Sequence, residues 1–244
     1  PVWPYEKFEA TMLDLLRRNE VREDVLVRVT IFVDELIAGT KIHGLKHSLS
    51  AYIYPMGAIL PHSGVNLCVS SWTRNPDNAI PARAKVNGGY VNASLVKNEA
   101  ILNGYDDAIL LDADSHVTEG TVANIFLVRR RADGTNGGAG TPVLITPAVA
   151  GDLLEGITRD SILRIARDLG IETVERTIDR SELYIADEAF LCGSSARLIP
   201  IVSIDKRAIG SDTIGAVTEK LLTEFSAAQR GTDPAKYPAW RIEI

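Results

Sequence analysis

Lys85 sits between small residues and ahead of two glycines, in Ile80-Pro81-Ala82-Arg83-Ala84-Lys85-Val86-Asn87-Gly88-Gly89-Tyr90. The glycines let the backbone turn tightly and approach a ligand. The alanines leave room beside the amine. A partly desolvated lysine loses proton affinity and becomes a nucleophile, for example toward a carbonyl, with which it forms a Schiff base. Three later segments could serve such an amine. Thr118-Glu119-Gly120-Thr121 puts a carboxylate beside a glycine, where it can come close to a heteroaromatic ring and hold a ring nitrogen protonated. Glu155-Gly156-Ile157-Thr158-Arg159-Asp160 reads as a helix start, where free N–H groups, a hydroxyl and the helix dipole make a phosphate cradle. Cys192-Gly193-Ser194-Ser195-Ala196 follows an apolar run, and successive N–H groups in such a loop form an anion nest.

Each of these segments alone is more often a solvated lysine, a turn acid, an ordinary capped helix or a plain tight turn. Together, and without any nucleotide phosphate loop to compete, they describe a pyridoxal phosphate site.

Periodicity gives the helices and strands around these groups. Residues 5–19 predict an amphipathic helix, with Phe8, Met12, Leu15 and Leu16 on one face. Val25–Val33 predicts a β-branched strand interrupted by Arg28, and Leu49–Tyr54 and Val65–Ser70 predict two more. Tyr90–Asn103 predicts a helix ended by Gly104. Ala108–Asp112 predicts a strand, Asp112–Ser115 a turn and Asn124–Val128 a second strand that pairs back on the first, with Thr118–Thr121 between the two strands. Residues 130–141 predict a long hairpin loop before a return strand at Val143–Ile145. Thr158–Leu169 carries Ile162, Ile165, Ala166 and Leu169 on one face, with Thr158 as N-cap and Gly170 as C-cap. Ile171–Ile178, Ala189–Cys192 and Ile199–Ile204 predict strands, Ser181–Ala186 a short helix and Thr213–Gln229 a closing helix. Strands and helices mix without strict alternation, so the fold class is α+β or α/β.

The composition narrows the partners. The chain has 244 residues, 45% hydrophobic and 24% charged, as in a globular protein with a substantial core. A net charge of −6 argues against nucleic acid, and the longest apolar runs are too short to span a membrane. Cys68 and Cys192 have no metal-ligand spacing and suit a reducing cytoplasm; His43 and His47 are spaced i, i+4 but fall in loop sequence, so no metal is expected. The sequence starts at Pro1 without a methionine, as expected of a processed or truncated form.

The Lys85 run, Val117-Thr118-Glu119-Gly120 with Asn124-Ile125-Phe126, Glu155-Gly156-Ile157-Thr158-Arg159, and Ala186–Ala196 together resemble class IV aminotransferases, the fold-type IV pyridoxal phosphate enzymes. The resemblance covers nearly the whole chain and is nearest to the branched-chain amino acid aminotransferases. It implies a small α/β domain at residues 1–56, truncated, and a barrel-like mixed α/β domain at 57–244, with the cofactor in the cleft between them. By this resemblance Lys85 bonds pyridoxal 5′-phosphate and moves a proton. Tyr90 bonds the ring's phenolic oxygen, Glu119 pairs with the ring nitrogen and Leu154 packs on the ring face. Ile157, Thr158, Gly193 and Ser194 take the phosphate. Ser195 and Ala196 take the substrate carboxylate through N–H groups, and Arg28 falls at a substrate-binding arginine. The resemblance also implies amino acid and 2-oxo acid substrates and a homodimer or dimer-based oligomer.

Some positions depart from the branched-chain pattern. The family carries a phosphate-binding arginine and pocket aromatics in an N-terminal segment of about 70 residues that would precede Pro1. Leu26-Val27-Arg28-Val29, Thr121-Val122-Ala123-Asn124, Arg197 and Ile59 also differ. They leave open a D-amino acid transaminase, an (R)-amine transaminase, an aminodeoxychorismate lyase or a non-catalytic homologue.

Overall fold

The structure is a computed structural model that describes residues 4–57, 63–131, 140–211 and 213–242. The chain forms two compact units. One takes the residues up to Gly57 and those from Arg241 onward; the other runs from Ala58 to Trp240. Ile59 and the middle of the Gly-rich hairpin lie outside the described residues.

The first unit consists of α1 (Tyr5–Arg18) and an antiparallel ribbon of β1 (Val25–Val33) and β2 (His47–Pro55). None of its described residues is fully buried, as expected where one helix and two strands cannot close a core. Arg28 is exposed on β1, directly opposite Tyr52.

The second unit holds β3 (Val65–Thr73), α2 (Tyr90–Leu102), β4 (Asp107–Leu111), β5 (Val117–Gly120), β6 (Asn124–Arg131) and β7 (Thr141–Thr146). After these come α3 (Ile157–Asp168), β8 (Glu172–Glu175), β9 (Glu188–Gly193), β10 (Arg197–Ile204), β11 (Arg207–Ala208) and α4 (Ala216–Arg230). Six strands close a ring in the order β10, β3, β4, β5, β6, β9 and back to β10. The pairs β10–β3 and β3–β4 are parallel, and the other four are antiparallel. This closed sheet is the barrel-like core of a mixed α/β fold, and closure removes its exposed edges. Strands β7 and β8 extend it beyond β6.

Period-two alternation divides the apolar residues between the inside and the outside of the ring. Ile125 and Leu127 of β6, Ala189 and Leu191 of β9, and Ile109 and Leu111 of β4 share one core. Phe126, Val128, Phe190 and Cys192 on the opposite faces pack under α3 and α4. Ala108 and Leu110 pack under α2 with Val96 and Ala100. Both faces are covered, so these strands are continuous apolar runs in the sequence. Phe126 and Phe190 stack at 5.0 Å between ring centroids and 11° between planes. Such a pair adds about 0.5–1.5 kcal/mol beyond its burial.

Three sequence expectations change. The segment around Glu119 is a strand: β5 pairs with β4, and β6 joins β5 only through Glu119 opposite Asn124 rather than pairing on β4. Its polar residues and glycine hide a strand whose four residues are all buried. Thr158 is not the N-cap of α3. Gly156 holds that place with extended backbone, and Thr158 is inside the first turn. Leu169 is the C-cap, and Gly170 follows it at φ +72°. There Ile171 N–H donates to the Ala166 carbonyl and Gly170 N–H to the Arg167 carbonyl, the Schellman arrangement that a left-handed glycine allows.

Candidate active site

Lys85 ends a short 3-10 turn, Ala82–Ala84, and its backbone is left-handed, with φ 49° and ψ 47°. A non-glycine residue in that region costs energy, and such residues concentrate where a side chain must be aimed. Val86 then leads into a second 3-10 turn, Asn87–Gly89, which runs directly into α2 at Tyr90. Lys85 is exposed. The partial desolvation expected of a nucleophilic lysine is therefore not present, while the room beside the amine is.

The side chains of Lys85 and Tyr90 line a cleft of about 320 Å³, a volume suited to a small cofactor. Glu119, Leu154, Ile157, Thr158, Gly193 and Ser194 line it too, so the four sequence segments meet in one place. All of its described lining belongs to the second unit. Ser195 and Ala196 follow Ser194 in the three-residue turn between β9 and β10 without lining the cleft. Arg28 belongs to the first unit.

Glu119 is 6% exposed, and its carboxylate is held on both oxygens. Oε1 accepts a hydrogen bond from Arg74 Nε at 2.8 Å. Oε2 accepts from Asn124 Nδ2 at 3.3 Å and from the Leu154 N–H at 3.3 Å. Burial pushes the Glu119 carboxyl above the usual carboxylate range, while Arg74, the Leu154 N–H and the nearby Lys85 charge pull it back. A buried acid held in this way is suited to meet a cationic ring N–H.

Asn124 also donates from Nδ2 to the Leu154 carbonyl at 2.9 Å, so one amide ties the acid to the loop before α3. Gly156 is required beside it, because a Cβ there would collide with Asn124 Oδ1. No side chain caps α3, which leaves first-turn N–H groups facing the cleft for an anion. Thr158 is buried there at 6% exposure. Arg159 is structural: its Nη2 donates to the Pro147 carbonyl at 2.8 Å and to Glu175 Oε2 at 2.7 Å, fixing the start of α3 to the ends of β7 and β8.

Sequence reasoning missed Arg74, Asn124 and the Arg83–Glu155 bridge across the cleft. Arg74 follows β3 with no motif around it, and only the fold brings it to Glu119. Asn124 stood in the quoted motif, but its role needed the β5–β6 pairing. Cys192 also lines the cleft, but burial pushes its thiol up to about 12, so it is no nucleophile at neutral pH. Among the described residues no group of three His, Cys, Asp or Glu could hold a metal ion.

The barrel-like fold and a lysine cleft with a buried acid and an anion cradle define a pyridoxal phosphate enzyme of the transaminase type. Residues 2–204 match the family model of amino-transferase class IV, and the chain belongs to that family. It is 42% identical over 233 residues to a probable branched-chain-amino-acid aminotransferase of Aquifex aeolicus, covering 95% of this chain and 71% of that one. The branched-chain aminotransferase of Thermoproteus uzoniensis, solved with norvaline, superposes with a TM-score of 0.89 at 35% identity, over 98% of this chain and 75% of that one. The PLP form of the Thermobaculum terrenum branched-chain amino acid aminotransferase superposes with a TM-score of 0.88 at 34% identity, over 98% and 74%.

The residues present fit pyridoxal phosphate. The uncapped start of α3 and the Gly193-Ser194 turn suit a phosphate, and the buried Glu119 suits a pyridinium.

Proposed function

We propose that this chain transfers the amino group of a branched-chain L-amino acid to 2-oxoglutarate, with Lys85 as the catalytic residue. When bound, pyridoxal phosphate supplies an aldehyde for the amine and a ring that takes up the electron pair left at the substrate carbon. Lys85, freed at its amine, carries the proton to and from that carbon as general base and then general acid. Glu119 holds the ring nitrogen protonated, and Tyr90 donates to the ring's phenolic oxygen. Leu154 packs on the ring face and keeps water from it. The N–H groups of Ile157 and Thr158, the Thr158 hydroxyl, and the Gly193-Ser194 turn hold the phosphate. The N–H groups of Ser195 and Ala196 take the substrate carboxylate, and Arg28 takes part in substrate binding.

The observation that carries this proposal is one cleft gathering a left-handed lysine, a buried acid and an uncapped helix start. The substrate class draws on the similarity to branched-chain aminotransferases. A substrate panel tests it. Turnover of L-leucine with 2-oxoglutarate is expected, with little on D-alanine or (R)-1-phenylethylamine. Preference for either of the latter would overturn the substrate assignment and leave the cofactor in place.

The division into a small domain at 1–56 and a cofactor domain at 57–244 belongs to the same proposal, as do cytoplasmic location and a homodimer. No helix among the described residues is long and apolar enough to cross a membrane, and both cysteines are free and buried. Val91, Leu95 and Leu102 are exposed on α2, an apolar face that a second copy would cover. Light scattering at the mass of two chains is the expected result.

A further inference from the structure

Arg74 stands immediately after β3, and its position is fixed from two sides. Its N–H donates to the Leu111 carbonyl at the end of β4 at 2.8 Å. Asn92 of α2 donates from Nδ2 to the neighbouring Thr73 carbonyl at 3.0 Å. From this held backbone the guanidinium reaches Glu119 at 2.8 Å, with side chains 17% and 8% exposed. So little water reaches the pair that the attraction is weakly screened, and loss of one partner leaves the other charge buried alone. The arginine occupies Oε1, and the Asn124 amide and Leu154 N–H occupy Oε2.

We infer that Arg74 is a positioning residue that keeps Glu119 a carboxylate inside the cleft and orients it toward the ring nitrogen. The role rests on the function proposed above, but it acts on Glu119 whether or not the cofactor is bound. Two cations face this acid: Arg74 from the end of β3 and Lys85 from the turn before α2. Of the two, Arg74 bonds the carboxylate directly, and Lys85 contributes its nearby charge. Asn124 is neutral and fixes geometry without supplying charge.

The test begins on the apoprotein, so that failure of this role and failure of the proposed function can be told apart. The Glu119 carboxyl carbon is followed by NMR against pH in protein labelled at glutamate, with Glu119→Gln supplying the assignment. In Arg74→Gln the Glu119 midpoint is expected to rise by about 1 to 3 pH units, the range for losing an adjacent opposite charge. Arg74→Lys, which keeps the charge, is expected to return most of that shift. Should Arg74→Gln fail to fold, Arg74→Met keeps the aliphatic length and is read in its place. An unmoved midpoint in the neutral variant overturns the role. So does an Arg74→Lys displaced as far as the neutral variant, since Arg74 would then matter only as packing.

The reconstituted protein gives a second readout. With 15N-labelled pyridoxal phosphate, the ring nitrogen of Arg74→Gln is expected to lose its proton at lower pH than in the unaltered protein, and Arg74→Lys to restore it. A ring nitrogen that titrates identically in all three proteins contradicts the role. If the unaltered protein binds no cofactor at Lys85, the proposed function fails, while the apoprotein titration still decides what Arg74 does to Glu119.

Discussion

One carboxyl in the cleft is under opposed demands. Burial favours protonated Glu119, and chemistry at a ring nitrogen needs it ionised. The linkage sign follows. A carboxyl whose folded value is raised binds its proton more tightly in the native state than in the unfolded chain. The stability it lends is complete below the ordinary glutamate value of 4.5 and is lost as pH rises through the folded value. Glu182 runs the other way, because its bonds to Arg176 pull it down and its contribution is lost as pH falls. A comparison isolates the Glu119 contribution. As pH rises from about 4.5, the apoprotein should lose stability relative to Glu119→Gln in urea unfolding. A relative gain would show that the acid is not buried as described. Lys85 is predicted to be irreplaceable at the same scale. Lys85→Ala should lower transaminase kcat/KM by roughly 10³-fold or more, the scale of losing a positioned acid–base and its covalent role, with an unchanged far-UV spectrum.

The loop before α3 and the β5–β6 turn make the cleft one object, joined by the Asn124 side chain. Gly156→Ala puts a methyl group where Asn124 Oδ1 lies. It is predicted to weaken pyridoxal phosphate binding by about tenfold or more, since separating the amide from Glu119 and Leu154 costs on the order of 1–3 kcal/mol. Equilibrium dialysis measures that. Gly170→Ala makes the control. It sits at φ +72° with open space around a Cβ, so about 1 kcal/mol of stability should be lost with cofactor binding unchanged. The sequence made many of these elements legible through periodicity, and β1 matches its predicted bounds at Val25–Val33. It hid β5, because Thr118-Glu119-Gly120 carries the polar and glycine signals of a turn while its burial comes from the barrel around it. The lysine, the acid and the two anion segments could be found because each carries its chemistry in adjacent residues. Arg74 could not, since 45 residues separate it from Glu119 and the pairing of β3 through β4 to β5 brings them together.

Closure of the six-stranded ring lets a nine-stranded sheet hold a polar cleft at its thinnest seam, where β5 and β6 share the single pair Glu119 and Asn124. Much of the rest of the ring buries apolar side chains on both faces and supports the site. Phe190, fully buried and stacked on Phe126, belongs to that support. Phe190→Ala should cost about 3–5 kcal/mol in denaturant unfolding. The proposed chemistry of the whole molecule depends on one covalent attachment point. Borohydride reduction of the protein reconstituted with pyridoxal phosphate, followed by peptide mapping, tests it most directly. The phosphopyridoxyl group is predicted on Lys85 alone, and label on another lysine such as Lys97, or no stable label at all, would contradict it.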